Sequence, residues 1–562
     1  MRQKAVWEHE HKSTLRHKSA AQAKDRNDDH EASGRERVGY LTRNTPRSLR
    51  VRRRIEHPGH PRRIRRRRYL YPGVFLPEAT FAAKCADPRT GTDPITHATY
   101  PDVQGTSTDE NNWLRSWTND LYLWYSEVPD LNPASYTTVN YFPLMKTPAI
   151  TATDHPKDKF HFTYATQVWE SLSQSNTDVG YGLQFDVISP SPPRRIVVAF
   201  TEPGSAAAQA PASLARGATV LSVDGADINT TDSAGVATIN AGLTPATAGE
   251  THVFQVQDLG STASRSVTLQ SANVTTLSVA TVKTISTATG TVGYLLFNNQ
   301  LAQAETQLIT AINTLKSAAV TDLVLDMRYN GGGFLDIASE LAYMIAGPQM
   351  TAGQTFELIQ FNSKHPSTDP VTGSAITPTL FHTLTVGLSA TSGQPLPSLD
   401  LQRVYVLTTS GTCSASEAVM NSLQGVGVQV IQVGTTTCGK PYGFYPADNC
   451  GTTYFSIQFQ GVNARSFGGY PDGFSPSTTM TTSTGTSAML PGCTVDDDFT
   501  HALGDQNESL LFSALSYRAT ASCGTPPAGL EPGGVVKRIA RAGQSYLIRS
   551  PMREMRILRP TT

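Results

Sequence analysis

From residue 290 onward, short β-branched runs alternate with amphipathic helical stretches, and this alternation constrains the fold of the 562-residue chain more than any other feature. The strand-like runs are Val292–Phe297, Leu323–Asp326, Val404–Leu407, Val428–Val433 and Tyr454–Phe459, with helices predicted over about 302–316, 334–346 and 415–424. The order predicts an α/β core with a partly parallel sheet. Sites in open sheets of this class collect beyond the carboxyl ends of the strands, which directs attention to the loops 327–333, 408–414 and 434–441.

Each of these loops carries chemistry. After the strand 404–407 the chain reads Thr-Thr-Ser-Gly-Thr-Cys-Ser414-Ala415-Ser416-Glu417 and enters a helix. A serine there sits beside outward-pointing amides and a helix N-terminus that favours negative charge. The same string satisfies a capping box, in which Ser414 only caps the helix. Asp326-Met-Arg-Tyr-Asn-Gly-Gly-Gly333 brings three glycines with bare amides to the same sheet end, and Gly434-Thr-Thr-Thr-Cys-Gly-Lys440 brings a lysine. Burial penalises the ammonium form of a lysine and so fits it to act as a base. Nucleophile, base and oxyanion amides would then meet in one crevice.

Upstream, Ser107-Thr-Asp-Glu110 reads as a capping box before Trp113, Trp117, Leu121 and Trp124 at helical spacing, aromatics expected in a core rather than around a ligand. Mostly helical material continues to residue 177. Between 179 and about 275 short β-branched runs separated by Gly, Pro, Asp and Ser predict a small β-rich module. Its strings Gly180-Tyr-Gly-Leu-Gln-Phe185, Glu202-Pro-Gly-Ser-Ala206, Leu214-Ala-Arg-Gly217 and Val220-Leu-Ser-Val-Asp-Gly225 resemble a PDZ domain. That resemblance implies a peptide added as a strand to a sheet edge, with Gly180, Tyr181, Gly182, Leu183 and Phe185 as substrate-binding residues.

Taken in order, the PDZ-like module, Asp326-Met-Arg-Tyr-Asn-Gly-Gly-Gly333, Thr412-Cys-Ser-Ala-Ser-Glu417 and Thr437-Cys-Gly-Lys440 resemble the carboxyl-terminal processing peptidases, or tail-specific proteases, over roughly 106–520. The resemblance implies a serine endopeptidase with a Ser-Lys dyad: Ser414 as nucleophile, Lys440 as base, and the backbone N–H groups of Ala415 and Gly332 as oxyanion hole. It implies acyl transfer without a cofactor or metal, on protein or peptide substrates with accessible carboxyl termini. The sequence departs from the family at Phe444, four residues beyond the lysine, where many members carry an orienting glutamine; Tyr442 is the substitute at hand. That departure keeps open a peptide- or ligand-binding protein on the same scaffold that has lost catalysis. Outside residues 1–68 the histidines, among them His161, His252, His365, His382 and His501, stand without motif context.

The implied architecture is α+β and multidomain: a basic disordered extension and linker at 1–105, a helical N-terminal domain at 106–177, the PDZ-like domain at 178–278, the α/β protease core at 279–520 and a tail at 521–562. Charge separates the first part from the rest. Residues 1–68 hold 21 Lys+Arg against 8 Asp+Glu, while the remainder holds 25 against 38, so the near-zero total hides two chains of opposite character. Clustered arginines suit a nucleic-acid or anionic-membrane arm or a solvated extension, and the acidic body gives no reason to expect nucleic-acid binding. No apolar run reaches the roughly 18 to 20 residues of a spanning helix. Residues 69–85 follow the order of a secretory signal, interrupted by Pro72, Pro77 and Glu78 and with Lys84 before Cys85. With the family resemblance, this points to a periplasmic, envelope-associated or secreted protein. Six cysteines without metal spacing suit one or two disulfides, and Cys438 with Cys450, across a Tyr/Gly/Pro-rich loop, is the expected pair. The Ser/Thr run 475–488 reads as a flexible loop.

Overall fold

The computed structural model describes residues 72–151, 153–528, 546–547 and 555–557; the basic segment 1–68 and most of the tail beyond 528 lie outside the described residues. Helix α1 (Ser107–Leu121) buries Trp113, Leu114, Trp117 and Leu121 with Phe81, Tyr141, Phe142 and Met145 in a small aromatic core. Its cap is Thr106, whose hydroxyl accepts Asp109 N at 3.2 Å, one residue before the cap that the sequence pattern predicts. Residues 84–105, within the stretch 1–105 expected as extension and linker, fold onto the body. Lys84–Cys85 pairs in parallel with Val103–Gln104, and Arg89 bridges to Asp102 at 2.8 Å. Phe81 and Cys85 are buried, so the end of the signal-like stretch is part of this packing.

Strands β1 (Leu183–Ser189), β2 (Arg195–Thr201), β3 (Thr219–Val223), β4 (Thr251–Gln257) and β5 (Ser264–Gln270) form an antiparallel sheet in the order β5-β4-β3-β2-β1, against which helix α2 (Ser233–Leu243) packs Ile239 and Leu243. Phe254 and Val256 of β4 and Val267 and Leu269 of β5 point inward between more exposed neighbours, the pattern of a sheet with one wetted face.

The central sheet is built from β6 (Val279–Thr287), β7 (Gly290–Phe297), β8 (Asp322–Asp326), β10 (Arg403–Thr408), β11 (Gln429–Gly434), β13 (Ser475–Ser477) and β14 (Met489–Thr494). Strand β9 (Gly332–Phe334) and the short β12 (Tyr442–Gly443) lie outside it. The spatial order is β6-β7-β8-β10-β11-β14-β13, antiparallel only between β6 and β7. Helices α3 (Ala304–Ser317), α4 (Leu335–Thr351) and α5 (Ala415–Gly425) cover one face, and α6 (Ser509–Thr520) the other. The inner strands are buried on both faces and divide their side chains by alternation: Leu323, Leu325, Val404 and Val406 join the first core, and Val324, Tyr405 and Leu407 the second. Helix α4 runs past the predicted end at 346 because Gly347, at φ 70°, bends the chain before Pro348 and the helix resumes. The Ser/Thr run 475–488 is ordered, contrary to the expectation of a flexible loop: β13 extends the sheet, and Ser483 takes a hydrogen bond from Val430 N at 3.2 Å. The run 454–459 is likewise split into the strands Thr452–Phe455 and Phe459–Val462.

Three disulfides close the body: Cys85–Cys450, Cys413–Cys438 and Cys493–Cys523. The expected pairing of Cys438 with Cys450 is therefore wrong. Cys450 lies at a hairpin turn that faces the amino-terminal strand at Cys85, while Cys438 lies beside Cys413 at the sheet's carboxyl end. Two further strands come from the tail. β15 (Tyr546–Leu547) adds antiparallel to β1, and β16 (Met555–Ile557) adds in parallel to β9.

Candidate active site

The three loops singled out at the carboxyl ends of the strands meet. Cys413 N donates to Asn330 O at 3.0 Å and Cys438 N to Thr412 O at 3.0 Å, so loops 327–333, 408–414 and 434–441 form one wall. Ser416 Oγ donates to Asn330 O at 3.0 Å and accepts from Gln300 Nε2 at 3.2 Å, fixing the start of α5 to the glycine loop.

Ser414 is fully buried and turns the chain sharply between β10 and α5, with φ 63° and ψ −113°. A side chain in that region is strained by roughly 1–3 kcal/mol, a cost that persists where neighbours enforce it. Its neighbours do so. Within the capping-box arrangement of Ser414 and Glu417, the hydrogen bond is the one from Ser414 N to Glu417 Oε2, at 2.9 Å. The Ser414 hydroxyl has no hydrogen-bond partner among the described residues. The capping pattern is present, then, but the hydroxyl is not consumed by it.

Glu417 is the residue around which the site is assembled. Buried, it accepts from Ser414 N, from Thr437 Oγ1 at 2.5 Å, from Gly439 N at 2.9 Å and from Lys440 N at 2.8 Å. Ser414 N and Lys440 N share one oxygen, Oε2, which holds the two backbones within two hydrogen-bond lengths of each other. Burial pushes the Glu417 carboxyl above the usual carboxylate range, against the pull of its donors. Gly439 makes this convergence sterically feasible: at φ 82°, a Cβ there would stand 2.3 Å from Pro471 O.

Lys440 is fully buried, with Nζ 4.6 Å from the centre of the Phe160 ring and 4.5 Å from that of Phe444. Phe444, the departure noted in the sequence, thus forms one side of the lysine's slot. Phe160 forms another and comes from the amino-terminal region, as does Lys159, whose Nζ donates to Cys438 O at 3.0 Å. Neither carries a motif, and sequence reasoning missed both. Tyr442 is buried edge-on against Trp124.

Ala415 N opens α5 and belongs to the first-turn N–H groups that have no acceptor within their helix. Gly332, at φ 101°, donates its N–H to Asn330 Oδ1 at 2.9 Å, and its carbonyl accepts from Gln300 N. Strand β16 lies along this same glycine strand and beside α5 and β12.

The other residues expected to bind substrate lie in the β-rich module. Tyr181 and Phe185 are buried in that module's core, with Tyr181 OH donating to Gly242 O at 2.8 Å. Gly182, at φ 74°, turns its carbonyl to Glu202 N and to Ser205 Oγ; Leu183 opens β1, the strand whose edge carries β15. Gly180 ends a strand paired with residues 272–275. The module reaches the loops at the sheet's carboxyl end through Arg216, a residue without motif context in the sequence. Buried, Arg216 donates to Tyr329 OH at 2.5 Å and to Asp497 Oδ1 at 2.6 Å, and Arg328 reaches that same Asp497 oxygen at 2.7 Å. Against the burial that would raise it, the two guanidinium groups hold Asp497 well below the usual carboxylate range.

Cys413, Glu417 and Cys438 offer three ligand atoms within 4.8 Å of one another, but the two sulfurs are joined, which leaves no thiolate pair for a metal.

Residues 291–443 match the family model described as Peptidase family S41. No curated protein matches the chain in sequence. Among solved structures, a putative S41 protease from Bacteroides fragilis NCTC 9343 is similar at 23% identity and a TM-score of 0.51, covering 75% of this chain and 98% of its own. The photosystem II D1 C-terminal processing protease is similar at 17% identity and a TM-score of 0.40, covering 66% and 92%. Mature CPAF complexed with lactacystin is similar at 11% identity and 0.35, with the same coverage.

Proposed function

We propose that the chain is a serine-type peptidase of family S41, whose model matches residues 291–443, and that Ser414 and Lys440 form the dyad that cleaves its protein or peptide substrates by acyl transfer. The observation that carries the reading is the shared Glu417 oxygen: it draws the backbones of Ser414 and Lys440 together while leaving the Ser414 hydroxyl without a partner. Lys440 takes the proton as Ser414 Oγ attacks the scissile carbonyl, and returns it to the leaving amine; water then releases the acyl-enzyme. Catalytic hydrogen bonds commonly tighten only with substrate bound, and the Ser414 hydroxyl must acquire its bond to Lys440 in that step. Ala415 N–H and Gly332 N–H face the developing oxyanion, the latter after exchanging Asn330 Oδ1 for substrate.

The β-rich module reads as a PDZ-like domain that takes substrate near a carboxyl-terminal tail, because its β1 edge accepts an added antiparallel strand at β15. Arg216 is the group through which occupancy of that module would reach the glycine loop. Three disulfides support an oxidising, extracytoplasmic address. Among the described residues no helix is long and apolar enough to cross a membrane.

The test is hydrolysis of an unfolded polypeptide with an apolar carboxyl terminus. Ser414→Ala and Lys440→Ala should each lower kcat by about a thousandfold or more. Full activity in Ser414→Ala, or none in the wild type, would sink the assignment and return the chain to the ligand-binding alternative.

A further inference from the structure

One covalent bond joins the nucleophile's loop to the base's loop. Cys413 immediately precedes Ser414, Cys438 stands two residues before Lys440, and their Cα atoms are 5.1 Å apart. The other two disulfides do different work. Cys85–Cys450 fastens the amino-terminal segment to a hairpin, and Cys493–Cys523 fastens β14 to the chain just beyond α6. The loop carrying Lys440 has no helix or long strand of its own between β11 and β12. Its hold on the nucleophile's side includes Thr435 N to Thr408 O, Cys438 N to Thr412 O, the donors to Glu417, and this bond.

We propose that the Cys413–Cys438 disulfide is a positioning element of the peptidase and the point at which a dithiol reductant switches it off. The proposal rests on the assignment of Ser414 and Lys440 as the dyad. Cys413 is fully buried and Cys438 only partly, so a reductant thiolate meets the Cys438 sulfur first, and Cys413 departs as the leaving thiolate. The second thiol of the reductant then resolves the mixed disulfide. The balance is one protein disulfide and one dithiol converted to two protein thiols and one cyclic disulfide.

The consequence follows from Glu417. The Cys438 sulfur is 3.4 Å from Glu417 Oε2, the oxygen that accepts from both Ser414 N and Lys440 N. As a disulfide sulfur it has no proton to give. As a thiol it becomes a donor that competes for that oxygen, and beside a carboxylate the thiolate form is disfavoured. Reduction thus removes the covalent link and adds a rival for the acceptor that aligns nucleophile and base. Displacements of about 1 Å in such a pair cost on the order of a hundredfold in rate.

The experiment titrates the intact protein with dithiothreitol, traps thiols by alkylation, and maps each disulfide by mass spectrometry beside kcat and KM. As Cys413–Cys438 opens, kcat should fall at least tenfold with KM within about twofold, and should return when the dithiol is removed and oxidised glutathione is added. A Cys413→Ala/Cys438→Ala protein should show the same low kcat and no response to reductant; should it fail to fold, the wild-type titration decides alone. Protein reduced at Cys413 and Cys438, with the other two disulfides intact and kcat unchanged, overturns the proposal. Oxidised Ser414→Ala, run in parallel, separates the two ideas. If it is inactive while reduced wild type keeps its kcat, only the disulfide's role is refuted; if it is as active as wild type, or the wild type is inactive, the dyad and the switch fall together.

Discussion

Two buried carboxylates at opposite ends of the central sheet, Asp322 and Glu417, are held in opposite ways. At the amino ends Asp322, the first residue of β8, takes Arg518 Nε at 2.6 Å and two bonds from Arg403, the first residue of β10. Burial raises its pKa, but the two guanidinium partners win and hold it below the ordinary carboxylate value. At the carboxyl ends Glu417 takes three backbone N–H groups and a hydroxyl, and burial wins, raising its pKa. Asp322 is spent on opposite charges. Glu417, beside a strained Ser414 whose hydroxyl has no partner among the described residues, is spent on aligning backbone. The difference separates a carboxylate that holds the sheet together from one that holds the proposed dyad in place.

The sharpest way to break the comparison is at Ser414. Glycine accepts φ 63° and ψ −113° without the strain a side chain bears there. Ser414→Gly should abolish hydrolysis, a loss of about a thousandfold or more. It should also raise stability by roughly 1 kcal/mol, measured by denaturant unfolding. Loss of activity together with loss of stability would mean that the turn is not strained and that the carboxyl end is built like the amino end.

At the opposite end the expected effects are reversed. The Asp322 side chain is 1% exposed and Arg518 is 3% exposed, so removing the acid strands a buried cation. Arg403, at 48% exposure, contributes little. Asp322→Ala should destabilise by about 3 kcal/mol while leaving kcat of the folded protein within about twofold. A fall in kcat that matches the fall in stability would show that the two ends are coupled and that the separation drawn here is wrong.

What the sequence revealed follows the same division. The α/β alternation and the three loops that bring Ser414 and Lys440 to one end of the sheet were legible because strands buried on both faces are continuous apolar runs, and because glycines and a helix start are local features. Cysteine pairing was not: Cys85 and Cys450 are 365 residues apart, and only the fold brings them together, whereas Cys438 and Cys450 looked attractive through proximity in the chain alone. Phe160 and Lys159 reach the lysine's loop from a region whose aromatics read as ordinary core. Arg216 and Asp497 are single charges in unremarkable strings, and their meeting over Tyr329 is a tertiary event. Glu417 was visible as half of a capping box, but the three further bonds that make it the centre of the site come from a loop twenty residues on.

The smallest effect concerns acid. Because the folded-state pKa of Asp322 is depressed, its ion pairs contribute stability that is fully present above the unfolded value near 3.8 and is lost as pH falls through the lower folded value. Asp322→Asn keeps the shape and removes the charge. It should cost about 2 kcal/mol at pH 7, the worth of hydrogen bonds to a charged group. The gap between wild-type and variant Tm should stay constant down to about pH 5 and close as the pH falls from about 4 through the lower folded value, below which wild-type Asp322 is protonated and the two side chains present the same neutral face to Arg518. Glu417 cannot produce that acid limb, since its pKa is raised and its titration lies on the other side of the ordinary carboxylate value. A gap that persists unchanged to pH 2 would mean that folding does not depress the pKa of Asp322, and the contrast between the two carboxylates would vanish with it.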